Sequence, residues 1–267
     1  AEHYEELIDH PVSLGEFDIL PFSVADVDFE LILAGGHQAD VKRITKDLTK
    51  ICQHHVEFFA DKPPVKCYQF ITLLTDNAFG GLEHISSTAL MFSRNDLPNL
   101  SNPLKMTDGY QVFLSLCSHE FFHTWHVKRI KPQELFDAPL DQEQYTEQLW
   151  IYEGFTSYYD DFSLLRCSVI SQQEYLKVVG QNLTRLIRNK GRFKQTITES
   201  SFDAWTKFYK QDESAVNNIV SYYNKGAVLA ICLDLLIKHK SNGDYSLDDV
   251  MRYLWNQHGK LHIPTPI

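Results

Sequence analysis

The string His119-Glu120-Phe121-Phe122-His123 lies inside an apolar run whose pattern predicts a helix. On a helix, side chains four positions apart share one face, so His119 and His123 can direct both imidazoles at one metal ion. Glu120 then lies beside that ion, where a carboxylate can take a proton from a metal-bound water. The same pattern also arises by chance on solvated helix faces. Here the flanking residues are strongly apolar, and each buried polar group left without a partner would cost roughly 1–3 kcal/mol, so a metal site is favoured.

Composition places the chain among globular proteins. Its 267 residues are 43% hydrophobic and 13% aromatic. That is enough to bury a large core, as one domain or as two lobes around a cleft. The formal net charge is -10, and the sequence has no stripe of Lys and Arg. Nucleic-acid binding is therefore not expected.

Cysteine usage and hydropathy bear on the cellular compartment. The five cysteines are scattered and form no CxxC pair, which predicts reduced thiols rather than a disulfide framework. No apolar run reaches the length of a membrane span and no signal-peptide pattern opens the chain, although it begins and ends as if cut from a longer protein. We expect a cytoplasmic protein, or a periplasmic one if a signal peptide has been removed.

Hydrophobic periodicity predicts an α+β fold, with a β-containing part over residues 1–108 and a mostly helical part over residues 109–267. In the first part we expect strands near 17–20, 27–33, 65–75 and 88–93, a helix over 39–60 and a short extended piece at Gly80-Gly81. In the second part we expect helices at about 109–126, 144–169, 172–189, 223–240 and 246–258, whereas 192–218 has no clear assignment. The His-Glu-His string lies near the seam between the two parts.

A catalytic zinc ion usually has three protein ligands and one water, so a third ligand is needed. Downstream, Trp150, Glu153 and Gly154 lie in an aromatic segment with a helical pattern. Together with the two histidines they resemble the thermolysin-like zinc metallopeptidases, or gluzincins, whose third ligand commonly lies in a Trp-x-x-Glu-Gly motif. The resemblance implies a zinc ion bound by His119, His123 and Glu153.

The spacing between the second histidine and Glu153 leaves rivals for the third ligand. This spacing is longer than in aminopeptidase-N-type enzymes. If their shorter spacing applied to this sequence, the third ligand would fall at Gln142, next to Glu143. Glu143 and Glu147 therefore stay candidates, and we favour Glu153 because its flanking Trp and Gly also match the motif. His126 is a further possible ligand, which we interpret as a neighbour of the ligands or as a surface residue.

The string Gly80-Gly81-Leu82-Glu83-His84 resembles the Gly-x-Met-Glu-Asn strand of aminopeptidase-N-type enzymes, with Leu in place of Met and His in place of Asn. In those enzymes the strand backbone pairs with the substrate, and the glutamate binds its free α-amine. Glycines allow a peptide backbone to approach closely, and a carboxylate pairs with an ammonium group. The resemblance implies substrate binding by Gly80, Gly81 and Glu83. Taken alone, the string is more typical of a β-turn with a surface acid.

The string Tyr222-Tyr223-Asn224-Lys225-Gly226 resembles the Tyr-x-Lys-Gly segment of the same enzymes, whose tyrosine hydrogen-bonds the oxyanion. Tyr223 matches that register, and Tyr222 is the alternative. A phenol near zinc is a suitable donor to charge that develops on a carbonyl oxygen. An isolated tyrosine is nevertheless more often a core or interface residue.

Asp160 lies seven residues after Glu153, roughly two helical turns along the same face. We predict that its carboxylate accepts a hydrogen bond from a ligand histidine. A simple surface aspartate is an equally good interpretation.

Together, these four strings are similar to the glycyl aminopeptidase family of zinc metallopeptidases, and the resemblance extends over nearly the whole chain, including Leu7–Val12. It implies a thermolysin-like catalytic domain that binds Zn2+ and removes small N-terminal residues, Gly or Ala, from a peptide substrate, with Glu120 as the general base. Members generally carry an N-terminal β domain and a C-terminal PDZ domain, both expected outside this sequence. Two alternatives stay open: a zinc endopeptidase with the same centre, and a catalytically inactive peptide-binding scaffold.

Overall fold

The computed structural model describes residues 3–101, 105–139 and 141–266. These residues form a mixed five-stranded β-sheet and several helices. Its strands are β1 (Phe17–Val24), β2 (Val27–Ala34), β3 (Cys67–Thr75), β4 (Phe79–Glu83) and β5 (Ser87–Ser93). Their order across the sheet is β1-β2-β3-β5-β4. The inner pairs β2–β3 and β3–β5 are parallel, whereas the outer pairs β1–β2 and β4–β5 are antiparallel. Strand β4, which contains both glycines of the predicted substrate strand, is therefore an edge strand of this sheet.

Helices make up most of the remaining described chain. They are α1 (Tyr4–Asp9), α2 (Val41–Phe58), α3 (Asp108–Phe122), α4 (Gln133–Phe136), α5 (Leu149–Arg166), α6 (Gln172–Arg188), α7 (Ile197–Phe202), α8 (Ala215–Asn218), α9 (Tyr222–Lys240) and α10 (Leu247–Gln257). Short 3-10 or π turns lie at Arg94–Asp96, Lys190–Phe193, Ala204–Phe208 and Gly259–Leu261. The predicted α+β class is confirmed.

One face of the sheet and helix α3 bury a shared aromatic core. Alternation along β3 turns Tyr68 and Phe70 to the same face, and both are fully buried. Phe121 of α3 packs edge-on against Tyr68 and Phe29, with ring centroids 4.8 and 5.2 Å apart. Edge-to-face pairs at these distances are favourable and directional. The core therefore fixes α3, and with it the His-Glu-His string, against the sheet.

Two predicted helices are shorter than expected. Helix α3 ends at Phe122 rather than at residue 126, because the amide of Thr124 bonds to the Phe121 carbonyl, three residues back. Helix α5 begins at Leu149 rather than at 144, because the Thr146 hydroxyl accepts a hydrogen bond from the Gln148 amide. Such side-chain bonds compete with helical ones. The other predicted helices agree with the structure within two residues at each end.

Contacts between Cα atoms divide the chain into two compact units. The first contains Ala1–Thr124 and Phe162–Ser171, and the second contains Trp125–Asp161 and Gln172–Ile267. The sheet, α2 and α3 belong to the first unit, and α9 and α10 belong to the second. All five cysteines are free, as the sequence predicts.

One stretch, Ala215–Lys240, is long and apolar enough to cross a membrane by length and composition alone. It contains α8 and α9, and Ala227, Ala230 and Asp234 of α9 are buried in the fold. Core helices pass the same test, so the stretch is weak evidence for a membrane span. The expectation that no apolar run reaches this length is corrected accordingly.

Asp234 joins three helices of the second unit. Its carboxylate accepts hydrogen bonds from the Tyr158 hydroxyl of α5 (2.8 Å), the first amide of α10 at Leu247 (2.9 Å) and the Lys238 ammonium group (2.6 Å). Burial alone would raise the pKa of Asp234, but the hydrogen bonds from Lys238, Leu247 and Tyr158 outweigh it, so this pKa lies below its ordinary value. The folded protein therefore favours the ionised carboxylate.

We predict that Asp234→Asn lowers the free energy of unfolding by about 1–3 kcal/mol, because buried donors lose a charged acceptor. Since folding depresses the pKa of Asp234, this stabilisation is present above the unfolded pKa of roughly 3.9 and is lost as pH falls through the folded pKa. Urea unfolding at several pH values measures the difference. Asp244→Asn, at an exposed position, is the matched control. An equal effect of both substitutions would contradict the role of Asp234.

Candidate functional site

The two histidines lie side by side at the end of α3. His123 is the residue that caps the helix, yet its φ and ψ of -60° and -18° are helical and its amide bonds to the His119 carbonyl at 3.2 Å. The spacing of one helical turn is therefore retained. The ring centroids lie 4.6 Å apart with the rings nearly perpendicular. One ring nitrogen of His119 lies within 4.8 Å of one of His123, which suits two ligands of one metal ion.

Glu120 is 4% exposed and lies between α3 and the sheet. A Cβ atom added to Gly81 would lie 2.1 Å from Oε1 of Glu120, so the carboxylate rests directly against the backbone of β4. The Thr88 hydroxyl of β5 lies 3.4 Å from Oε2 of Glu120. The Tyr68 hydroxyl donates to the backbone carbonyl of Glu120 at 3.1 Å. Burial, reinforced by the charge of Glu120, raises the pKa of Tyr68 well above its ordinary value, so this donor stays protonated.

Glu83 converges on the same place from β4. Glu83, Glu120 and His123 each have one possible metal-ligand atom, a carboxylate oxygen or a ring nitrogen, and these three atoms lie within 4.8 Å of one another. Gly80 and Gly81 lie within strand β4, so the interpretation as a β-turn with a surface acid is wrong. Strand periodicity gives Gly81 and Glu83 one face and turns Gly80 to the other. Two carboxylates and an imidazole in one place favour a metal cation or an ammonium group.

The turn after Glu83 is anchored by the N-terminal helix. Asp9, at the end of α1, accepts a hydrogen bond from the Ile85 amide at 2.6 Å. Its other oxygen lies 3.8 Å from Nδ1 of His84. The Leu7–Val12 segment thus fixes the turn that follows the predicted substrate strand. The segment belongs to the family resemblance, but no local pattern in the sequence predicts this contact.

In the second unit, two glycines let α5 and α9 touch. A Cβ atom on Gly154 would lie 2.5 Å from Cα of Gly226, and one on Gly226 would lie 2.5 Å from the Trp150 carbonyl oxygen. The helices therefore cross at their backbones. Glu153 directly precedes one glycine, and Tyr223 lies three residues before the other. The Trp-x-x-Glu-Gly and Tyr-x-Lys-Gly strings thus share a packing reason for their glycines.

Tyr223 carries a neutral phenol in a tyrosine cluster. Its hydroxyl shares a 2.9 Å hydrogen bond with the Tyr209 hydroxyl. Tyr222, which is 1% exposed, stacks on Tyr223 with ring centroids 4.5 Å apart and donates to Tyr209 at 3.2 Å. Burial raises the pKa of Tyr223 well above its ordinary value, and the charge of Glu153 raises it further. Tyr209 lies in the segment without a clear sequence assignment, and no signal in the sequence marked it.

The rival acids for the third metal ligand lie before helix α5. Glu143 and Glu147 are exposed, and Glu143 accepts a 2.5 Å hydrogen bond from its near neighbour Tyr145. Glu153, in contrast, is partly buried within α5. The assignment of Glu153 as the ligand that completes the set with His119 and His123 stays a prediction.

His126 and Asp160 are both buried. His126 packs against the ring of Tyr152 with centroids 4.8 Å apart, and its Nδ1 lies 3.4 Å from the Thr156 hydroxyl. Its interpretation as a surface residue is therefore wrong. Asp160 is 8% exposed and accepts a hydrogen bond from the Asp161 amide, so it is not a simple surface aspartate. Its bond to a ligand histidine stays a prediction.

Residues 112–229 match the family model described as M61 glycyl aminopeptidase. The fold is similar to the crystal structure of an aminopeptidase N family protein from Idiomarina loihiensis, with a TM-score of 0.91 and 47% sequence identity over 94% of this chain. Residues 112–229 therefore form a segment of the M61 glycyl aminopeptidase type. A comparison with curated proteins gives no significant match.

The M61 match covers only part of the predicted site. The matched range contains the His-Glu-His string, Glu153 and Tyr223, but not Glu83. The chain spans 43% of the length of the Idiomarina loihiensis protein. The role of Glu83 therefore depends on its position in β4 and on the resemblance of its string.

We predict that Gly81→Ala lowers hydrolysis of amino-acid p-nitroanilides roughly 10- to 100-fold, because the new methyl group displaces the Glu120 carboxylate. Gly180→Ala is the control, since Gly180 lies in α6, outside the proposed site, and a Cβ atom there meets nothing within 4 Å. Initial rates and melting temperatures of both variants decide the question. Equal rates in both variants, or an unfolded Gly81→Ala protein, would contradict the prediction.

Proposed function

We propose that this chain is the catalytic part of a zinc-dependent aminopeptidase that removes small N-terminal residues, Gly or Ala, from peptides. The observation that carries the proposal is the convergence of Glu83, Glu120 and His123 beside strand β4. It combines a general base with a carboxylate suited to a free amine. The match to the M61 family model supports the reaction class and the preference for glycine.

The ligands that we propose for zinc are His119, His123 and Glu153. Two imidazoles one helical turn apart, joined by one carboxylate, form a donor set that zinc prefers. The adjacent rings of the two histidines fit this role. A zinc ion so held is a Lewis acid toward water and toward a peptide carbonyl group. We also propose that the α+β fold is of the thermolysin-like type.

In this proposal, side chains of the protein transfer the protons and stabilise the negative charge that develops on the carbonyl oxygen. Glu120 takes a proton from the attacking water and returns it to the leaving amine, as a positioned carboxylate can. The Tyr223 hydroxyl donates a hydrogen bond to the carbonyl oxygen as that oxygen gains negative charge. Its raised pKa supports this role, because a neutral phenol keeps the proton that it donates.

Strand β4 provides the substrate's place. As an edge strand it has one free side within the described sheet, and an extended peptide can add to such an edge through backbone hydrogen bonds. Gly80 and Gly81 permit close approach, and Glu83 pairs with the ammonium group of the first residue. A substrate whose amine must reach Glu83 is cleaved near its N-terminus, which distinguishes an aminopeptidase from an endopeptidase.

We predict that glycine p-nitroanilide is hydrolysed and its N-acetylated form is not, because acetylation removes the charge that Glu83 binds. Glu83→Gln should lower kcat/KM for the free amine roughly 10- to 100-fold, and kinetics on both substrates measure this. Equal cleavage of both would instead favour a zinc endopeptidase. A zinc-loaded protein that cleaves neither these substrates nor longer peptides would favour a peptide-binding scaffold.

We predict that Glu153→Ala loses zinc after dialysis whereas Glu143→Ala keeps it, because only Glu153 is a ligand. Glu120→Gln should keep zinc and lose hydrolysis, since it removes the base but no ligand. Elemental analysis and rate assays on the same preparations give both results. Zinc loss in Glu143→Ala, or hydrolysis by Glu120→Gln, would refute the corresponding assignment.

A further inference from the structure

Thr88 occupies a central place in the site that neither the sequence motifs nor the family match marks. It is fully buried in β5. Its hydroxyl lies 3.1 Å from the Leu82 carbonyl oxygen and 3.4 Å from Oε2 of Glu120. One side chain thus reaches both the backbone of strand β4 and the carboxylate of the proposed general base.

The register of the sheet explains this position. Thr88 is paired with Glu83 across the antiparallel β4–β5 ladder and with Phe70 across the parallel β3–β5 ladder. Residues directly opposite each other in an antiparallel pair extend from the same face. Thr88 therefore shares the face that carries Glu83 and Gly81, and that face is the one packed against Glu120.

We infer that Thr88 is a positioning residue, whose hydroxyl fixes the orientation of the Glu120 carboxylate relative to strand β4; this inference rests on the proposed function. Gly81 limits the position of Oε1 by contact, and the Thr88 hydroxyl, 3.4 Å from Oε2, is within reach to orient that oxygen by hydrogen bonding. Together they remove the rotational freedom about the terminal bond of Glu120, which is otherwise broad. The base is then aligned with the strand on which the substrate lies.

A hydroxyl is well suited to this task because of its hydrogen-bonding capacity. It has one proton to donate and two lone pairs that accept. It can donate to the ionised carboxylate of Glu120, and it can accept from the same group once Glu120 carries a proton. While it accepts from Glu120, its own proton can be donated to the Leu82 carbonyl oxygen. The contact with Glu120 is thus available both before and after proton transfer.

Threonine also occurs in strands for ordinary packing reasons, and substitutions separate the two roles. Thr88→Val keeps the shape and removes the hydroxyl, Thr88→Ser keeps the hydroxyl, and Thr88→Ala is a second hydroxyl-free variant if valine disturbs packing. Thr72→Val is the matched control. Thr72 is also fully buried, lies in neighbouring β3, and its hydroxyl forms no hydrogen bond with the described residues.

We expect Thr88→Val and Thr88→Ala to lower kcat for glycine p-nitroanilide about tenfold or more, with KM changed by less than about threefold. Thr88→Ser should restore kcat to within about threefold of the wild type, and Thr72→Val should leave both constants unchanged. A purely structural threonine would instead lower the melting temperature and leave kcat of the folded protein intact. That result, or a serine variant as slow as the valine variant, would overturn the inference.

Crystal structures of the same variants test the contact without any assay. The Glu120 carboxylate should leave its place beside Gly81, or occupy several rotamers, in Thr88→Val, and should stay there in Thr88→Ser. An unmoved Glu120 in Thr88→Val would overturn the inference even if kcat fell. If the wild-type protein hydrolyses no peptide, the proposed function fails, and the crystal structures still decide whether Thr88 holds Glu120.

Discussion

The contact between the Glu120 carboxylate and the backbone of β4 is the constraint on which the rest of the first unit depends. It requires a residue without a side chain at position 81, since any Cβ atom would overlap Oε1 of Glu120. It also requires α3 to keep a fixed position relative to the strands on which it packs. The packing of Phe121 on Tyr68 and Phe29 holds α3 in this position. The hydrogen bond from the Tyr68 hydroxyl to the Glu120 carbonyl oxygen joins the same helix to β3.

In the second unit, a close contact that only glycine permits occurs again, where two helices cross. Gly154 and Gly226 bring α5 and α9 into backbone contact, and each glycine is close in sequence to a residue with a proposed role, Glu153 or Tyr223. Close contact leaves few alternative alignments, because a shift of one turn would place larger side chains at the crossing. Asp234 restrains α9 further along, through its bonds to α5 and to the start of α10. Precision at the functional residues thus comes from glycine contacts and one buried carboxylate.

Local patterns in the sequence predicted the parts of the fold that local chemistry controls. The alternation in β3, the spacing of the His-Glu-His string and the glycine strings are all visible in short windows, and the strands and most helix ends follow from them. The contacts that complete the site are not local. Thr88 lies 32 residues from Glu120 and Asp9 lies 76 residues from Ile85, so only the packing of helices α3 and α1 against the strands and the turn of the sheet brings them together. The early end of α3 was missed for a related reason, because the apolar run continues past His123 while the backbone turns.

The contacts of β4 with α3 also bring two negatively charged side chains, Glu83 and Glu120, close together. One carboxylate oxygen of Glu83 lies within 4.8 Å of one of Glu120, and Glu120 is almost fully buried, so this place favours a positive charge. That charge would come from the zinc ion that we propose at His123 or from an ammonium group bound at Glu83. The proposed amine clamp and general base together give two carboxylates a physical reason to lie so close to each other.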